Sequence, residues 1–438
     1  MHALKKLAAG ALAASVLVPP ASSADVVTDW NGTMLATLAG QNPFAQARFA
    51  AITQLAVFEA VNAIERDYDP YLGTVKAPRH ASAEAAAAAA AHGVLVHYFP
   101  GSADALDAAL DASLAQVLPG AAKDAGVEVG RAAAAAMIDH RSNDGAAAAP
   151  RFHVPGAPVP GEWQATAGCP PAGGILVHWQ DVLPFGIDSA SQFRSPRPPS
   201  LRSAQYAKDF NELKRVGAKT STDRPQDRAD VAVFYNAALA PLVWNSVARQ
   251  LAASRGTSLA HNARAFALLN MAMSDGLVSV METKYVYNFW RPETALAAGD
   301  QDGNPKTSAD ASFEPFIPTP CFPSYGSAHA AASYAARAVL EEMYGHAPAL
   351  LTLSTPAVPG IELTYRRLRD ITDDIDDARV YGGIHFRFDQ RAGAEQGMGI
   401  GRFVVRHNLQ RRLPPGHGAV CRSGWGGHHG ERRCGWDR

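Results

Sequence analysis

Ala45-Gln-Ala-Arg-Phe49-Ala-Ala-Ile52-Thr-Gln-Leu-Ala56-Val57-Phe-Glu-Ala-Val61-Asn-Ala-Ile64 carries the pattern that decides the fold. Phe49, Ile52, Ala56, Val57, Val61 and Ile64 recur at the spacing that lines one face of an α-helix. Working outward, residues 81–97, 103–118 and 121–141 read as Ala-rich helices, alanine being the strongest helix former. Helical periodicity returns over 203–214, 226–251, 258–285, 327–344 and 389–409. Between Ala149 and Pro199 the composition shifts to Pro, Gly and Trp, with Pro155, Gly156, Pro158, Pro160 and Gly161 in quick succession. That predicts a long irregular excursion. Two further loop-rich segments lie around 292–323 and 351–360. No pair of strands and no β–α alternation stands out, and the Ala runs have no fixed period. The expected fold class is all-α, helical bundles with long connecting loops.

Composition narrows the function classes. The chain has 438 residues, 47% of them hydrophobic and 18% charged, so the bulk of it can build a core and is not disordered. Its 40 Lys+Arg against 41 Asp+Glu leave no basic excess for a nucleic-acid partner. Lys5 and Lys6, the uncharged run 7–18, Pro19, Pro20 and the small residues Ala21-Ser-Ser-Ala24 predict an export signal cleaved after Ala24. The apolar run is too short for a membrane span, and no later stretch reads as one. The expected location is periplasmic or secreted. The expected divisions are 1–24 as signal, 25–200 as an N-terminal helical region with the excursion, 201–412 as the helical domain of the site, and 413–438 as an irregular tail. Four cysteines suit an oxidising compartment. Cys169 can pair with Cys321 and Cys421 with Cys434, neither pairing being decided by spacing. A metal site built from His417, His428 and His429 with the tail cysteines matches no standard zinc spacing.

Three segments concentrate chemistry. In Lys284-Tyr-Val-Tyr-Asn-Phe-Trp-Arg291-Pro292 two cations sit seven positions apart, nearly on one helix face, and Pro292 is expected to end the helix at Arg291. In Thr319-Pro-Cys-Phe322-Pro-Ser-Tyr-Gly326-Ser327-Ala328-His329 a helix start offers unpaired N–H groups to an anion. In Ala378-Arg379-Val-Tyr-Gly-Gly383-Ile-His385-Phe-Arg387-Phe-Asp389 a Gly-Gly flexure lets Arg379 and His385 turn towards one point. Singly, each has a plain structural explanation: cations at a helix C-terminus, an N-cap serine, a turn. Together they supply three cations, a hydroxyl, helix-start amides and two histidines, a set suited to a tetrahedral or trigonal-bipyramidal oxyanion. Arg387 is expected to bond a carboxylate away from that point.

These segments resemble the signature of the vanadium haloperoxidase and type 2 phosphatidic acid phosphatase superfamily: Lys-x6-Arg-Pro, Pro-Ser-Gly-His, and Ser-Arg-x3-Gly-x-His-x3-Asp. The first is intact. The second reads Gly326-Ser327-Ala328-His329, and in the third Ala378 replaces serine. The resemblance covers about residues 284–389. It implies that His385 is the vanadium ligand of bound vanadate, or the nucleophile of a phosphatase, and that His329 is the acid–base residue. It implies that Lys284, Arg291, Ser327, Arg379 and the Ala328 N–H hold the oxygens. By the same resemblance Asp227 orients Arg379, Asp389 caps the last helix or orients His385, and Phe322 belongs to the apolar surroundings. The aromatics Phe289, Trp290 and Phe322 are similar to the haloperoxidase branch, whose apolar walls suit halide. The expected function is therefore an exported vanadate-dependent haloperoxidase-like enzyme acting on hydrogen peroxide, halide and an organic acceptor. Its alternatives are a soluble phosphatase forming a phosphohistidine on His385 from a phosphate ester, and a non-catalytic oxyanion-binding protein.

Overall fold

Helix starts are written locally. Asp25, Asn42, Ser82, Ser203, Ser258 and Ser327 each accept a first-turn N–H on their side chain, the usual N-cap arrangement. The computed structural model describes residues 25–412. The expected export signal, the tail, the Cys421–Cys434 pairing and the tail histidines lie outside the described residues. Thirteen α-helices are described: α1 (Val26–Leu38), α2 (Pro43–Glu65), α3 (Ala83–Tyr98), α4 (Ala103–Ala115), α5 (Ala121–Arg141), α6 (Ala204–Val216), α7 (Gln226–Ala237), α8 (Ala240–Arg255), α9 (Leu259–Tyr287), α10 (Pro292–Ala297), α11 (Ala328–Tyr344), α12 (Leu368–Tyr381) and α13 (Arg387–His407). The fold is an all-α bundle, as expected, with the irregular excursion between α5 and α6 broken only by a short 3-10 turn at Val177–Asp181.

Four expectations need correction. Residues 226–251 are two helices bent by 100°, because Pro241 opens a new helix after the extended Ala238 and Leu239. α12 is a helix that its dense charge conceals, although Leu368, Ile371, Ile375 and Ala378 keep helical spacing. A small antiparallel hairpin, β1 (Leu351–Ser354) with β2 (Glu362–Tyr365), pairs Leu351 with Tyr365 and Leu353 with Leu363. Four-residue strands leave too little alternation to read. Lastly, α9 ends at Tyr287 with Asn288 in the left-handed region, so Arg291 stands beyond the helix in extended backbone.

α9 is the axis of the bundle, buried nearly end to end, with α2, α11 and α13 packed around it. Among the described residues only α2 has the length and apolarity of a membrane span, and it is buried in the core. α11 and α13 touch backbone to backbone. A Cβ on Gly393, Gly397 or Gly401 would come within 2.4, 2.1 and 2.5 Å of the carbonyls of Ser327, Ala331 and Ala335. Gly126 and Gly130 of α5 meet the α3 start in the same way, against the Ser82 and Ala86 carbonyls. These glycines allow interhelical distances that any side chain would widen.

Gly397→Ala is therefore expected to destabilise the fold by about 1–3 kcal/mol, despite the better helix propensity of alanine. Gly40→Ala, where a Cβ meets nothing within 4 Å, should be near neutral. Urea unfolding of both variants beside the parent checks this; equal midpoints would remove the close-packing argument.

Candidate functional site

The three segments converge where α9 ends and α11 and α13 begin. Lys284, on the last turn of α9, is fully buried and donates to the carbonyls of Pro323 and Ser324, both at 2.9 Å. Two of its three N–H bonds are thus spent on the loop that precedes α11. Arg291 donates from Nε to the Phe322 carbonyl at 2.7 Å and from Nη1 to the Ile384 carbonyl at 3.0 Å, while its buried Nη2 has no partner. The Phe322 ring lies 5.2 Å from Lys284 Nζ and 5.0 Å from the Arg291 guanidinium carbon, a cation–π floor under both charges. Arg379, on the last turn of α12, donates weakly to the Tyr235 carbonyl at 3.4 Å, and its buried Nε is also unpartnered.

Asp389 organises the histidine. Its Oδ2 accepts from Ser324 Oγ at 2.6 Å and from the Phe386 N–H at 3.1 Å, and lies 2.9 Å from His385 Nδ1. It therefore does both things expected of it: it ties the start of α13 and orients His385. A carboxylate on Nδ1 places the proton there and leaves Nε2 with its lone pair. Nε2 stands 3.1 Å from Arg291 Nη1. The Gly-Gly turn makes this approach possible. Gly383 has φ +80° and sits against the Gly217 carbonyl, where a Cβ would come within 2.3 Å.

Ser327 caps α11 through Oγ, which accepts from the Ala330 N–H at 3.3 Å, and its own N–H donates to the Asp389 carbonyl at 2.9 Å. The amides of Ala328 and His329 have no acceptor within the helix. Ala328 is an ordinary helical residue and not among the residues of positive φ, so replacing the family glycine costs no backbone strain. His329 Nε2 is buried without a partner.

Burial makes every charge here costly. It holds the Lys284 ammonium well below the usual lysine range, helped by Arg291 and Arg379. It pushes Arg291 down to about 9 and Arg379 to about 10. Both histidines are held well below their ordinary range, His385 by burial and then the neighbouring cations, His329 by burial and Arg379. Asp389 is pushed up to about 6 by burial, against the pull of Ser324, Lys284 and Arg291. Three cations face one carboxylate, the donors Arg291 Nη2 and Arg379 Nε are unsatisfied, and the lone pair of His385 Nε2 faces Arg291 Nη1. That donor set fits a bound oxyanion held by one histidine, vanadate included.

A funnel of about 280 Å³ leads to this point. His329 and Arg379 line it with Asn236, amid apolar walls that include Phe44, Leu277 and Phe322. Phe289 and Trp290 do not line it. They pack instead with Tyr206, Phe386 and Phe388 in a separate aromatic core, so of the three aromatics expected there only Phe322 is at the site. Asp227 is the second correction. It is exposed and pairs with Arg228 at 3.1 Å, while Arg228 reaches Asp374 and Asp377 on α12. The Tyr235 carbonyl, not a carboxylate, meets Arg379. Arg387 bonds Glu212 and Asp377, each at 2.7 Å, away from the site as expected.

Ser324, Asn236, Ile175 and Leu176 were not singled out in the sequence. Ser324 stood inside the second segment, but only the tertiary contact with Asp389 distinguishes it from any loop serine. Ile175 reaches the funnel because Cys169 and Cys321 are disulfide-bonded and the Ile175 N–H donates to the Cys321 carbonyl at 2.9 Å.

Comparison with known proteins places this geometry. Residues 264–412 match the family model of the VCPO second helical-bundle domain. No curated protein matches the chain. The fold superposes on the crystal structure of a bacterial vanadium-dependent iodoperoxidase with a TM-score of 0.71 at 25% identity, over 88% of this chain and 96% of that one. It superposes on a bacterial vanadium-dependent chloroperoxidase in its holo form with a TM-score of 0.67 at 18% identity, over 85% and 94%. The apo form gives 0.67 at 16% identity, over 85% and 96%.

A site with this charge excess should be stabilised by its anion. Orthovanadate at a hundredfold excess over its Kd is expected to add about 2.7 kcal/mol and raise the Tm, while perchlorate at equal ionic strength leaves it in place. In Arg379→Ala the vanadate shift should shrink; an equal shift in that variant would place the anion elsewhere. Proton linkage gives a second check. A bound anion raises the depressed His329 pKa, so between the free and bound values binding takes up a proton and tightens as pH falls. Calorimetry in two buffers of different ionisation enthalpy should find that uptake in the parent and not in His329→Ala, after subtracting the ligand's own titration.

Proposed function

Since the chain belongs to the superfamily of vanadium haloperoxidases and type 2 phosphatidic acid phosphatases, we propose that it is an exported vanadate-dependent haloperoxidase. The net reaction is H2O2 + X⁻ + H⁺ → HOX + H2O. The observation that carries this reading is His385, clamped on Nδ1 by Asp389 at 2.9 Å, with its Nε2 lone pair met only by Arg291 Nη1 at 3.1 Å within a ring of buried cations. Vanadate held there supplies a Lewis-acidic centre that activates hydrogen peroxide towards halide.

The chain's own residues do the rest. His385 Nε2 is the ligating atom, and Asp389 and Ser324 fix its ring plane and tautomer. Lys284, Arg291, Arg379, the Ser327 hydroxyl and the Ala328 N–H hold oxygens, offsetting negative charge in a site that excludes water. His329 Nε2, unpaired and neutral in the resting site, accepts a proton from peroxide and returns it to the departing oxygen. The funnel walls favour a weakly hydrated halide and small neutral peroxide over a charged ester. The similarity to vanadium-dependent iodo- and chloroperoxidases supports the same reading. The Cys169–Cys321 disulfide suits the oxidising compartment that export would provide.

One observation favours a second reading. The same unprotonated Nε2 is a nucleophile suited to phosphorus, and a phosphatase would form phosphohistidine there, with His329 protonating the leaving group. The non-catalytic reading loses its main support, because Ala328 sits unstrained in the first turn of α11.

The test is bromination of a phenolic dye with peroxide and bromide, with and without orthovanadate, beside hydrolysis of an aryl phosphate. Vanadate-dependent bromination is expected, lost in His385→Ala and reduced about 10²-fold or more in His329→Ala. Phosphate release inhibited by vanadate, with no bromination, would overturn the haloperoxidase reading for the phosphatase one.

A further inference from the structure

Beside the funnel lies a larger cleft of about 690 Å³, between α2, α3, α5 and the irregular excursion. That volume falls in the range of pockets that enclose a small organic ligand. Phe49, Tyr98, Phe152 and Trp179 give it aromatic walls. Phe152 is 44% exposed at its rim.

Two polar features say what kind of molecule. His178, 8% exposed, lines the cleft, and its Nδ1 is buried with no hydrogen-bond partner. Burial, then the charge of Arg151, holds this imidazole below its ordinary range, so it stands neutral. A neutral imidazole nitrogen without a partner accepts one O–H or offers one N–H. Arg48 also lines the cleft, its guanidinium carbon 5.1 Å from the Phe49 ring and 5.7 Å from Tyr98. Asp144, which pairs with both Arg48 and Arg141, leaves one positive charge in excess, and no acidic side chain lines the cavity. An electron-rich ring with an acidic hydroxyl matches these walls.

The cleft also adjoins the funnel. Asn42, Ile175 and Leu176 line both cavities. This partition is pinned. The Ile175 N–H bonds Cys321, the Tyr285 hydroxyl donates to the Ile175 carbonyl, and Leu176 is held at φ 63°, a conformation leucine rarely adopts. Backbone held in so sparse a region is found where the surrounding structure demands that placement.

We infer that the cleft binds a phenol as the organic acceptor, with its ring among Phe49, Tyr98 and Trp179, its hydroxyl on His178 Nδ1, and its edge towards the Ile175–Leu176 partition. The ring then lies one shared wall away from the funnel. Hypohalous acid, formed from peroxide and halide, delivers halogen to a ring carbon. A C–X bond forms, the O–X bond breaks, and the displaced ring proton leaves with the hydroxide as water: ArH + HOX → ArX + H2O. The source of HOX rests on the haloperoxidase reading; the binding of the phenol does not.

The experiment separates the two. The full protein, without peroxide or vanadate, is titrated with 2-naphthol and followed by calorimetry and tryptophan fluorescence. Saturable binding is expected, weakened about tenfold in His178→Ala by loss of one hydrogen bond. It should be abolished in Ala147→Trp, which fills the cleft from an exposed rim position and spares the core. Vanadate affinity measured on the same samples reports that each variant is folded. Absence of saturable binding in the parent, or parental affinity in Ala147→Trp, would overturn the assignment. Naphthol binding blocked by Ala147→Trp, in a protein that brominates nothing, would keep the cleft as an aromatic site and remove the transfer step together with the haloperoxidase reading.

Discussion

One carboxylate holds the site together. Through Oδ2, Asp389 meets His385, the Ser324 hydroxyl and the Phe386 N–H, and through its backbone carbonyl it accepts the Ser327 N–H. A single residue therefore joins the start of α13 to the start of α11 and to the loop that Lys284 and Arg291 grip. These bonds form only if α11 and α13 lie close enough, and the glycines 393, 397 and 401 allow that. Side chains at those positions would separate the helices by more than a hydrogen bond can span. Backbone packing and site chemistry are thus one constraint in this fold.

The cost of the arrangement is electrostatic. Lys284, Arg291 and Arg379 are removed from water with less opposing charge than they need, and backbone carbonyls cover only part of the deficit. Carbonyl dipoles and the Phe322 face soften the burial without neutralising it. An arrangement of this kind is stable enough to fold but favours a polyanion strongly once one arrives. The same desolvation keeps both histidines neutral, so each ring keeps a nitrogen lone pair. Position alone separates their roles: Asp389 touches one ring and nothing touches Nε2 of the other.

The N-terminal part of the chain completes the site from outside it. Asn42, Phe44, Ile175 and Leu176 come from segments far from the three motifs, yet they wall the funnel. Asp275 in the middle of α9 accepts the N–H groups of Phe185, Gly186 and Ile187, at 2.7 to 3.1 Å, and so anchors the end of the irregular excursion to the bundle axis. The disulfide does the same near the site. The excursion is irregular because its prolines and glycines cannot form a helix, and it is ordered because buried polar groups and a covalent link hold it.

The sequence by itself determined the helical class, the Ser327 N-cap and the three short segments that gather cations, a hydroxyl and histidines, because helix period, capping chemistry and motif spacing are local properties. It carried the identity of Lys284, Arg291, Ser327, His329, Arg379, His385 and Asp389 for the same reason. Only the tertiary structure decided which neighbours serve them. Asp227 faces solvent while a carbonyl from Tyr235 meets Arg379, and Phe289 and Trp290 turn into their own core, leaving Phe322 beneath the cations. Ser324 acquires its importance from a carboxylate 65 residues away. The partition at Ile175 and Leu176 exists only through contacts with Cys321 and Tyr285. These are long-range pairings set by how helices pack, and packing depends on volumes and close approaches that no local pattern records.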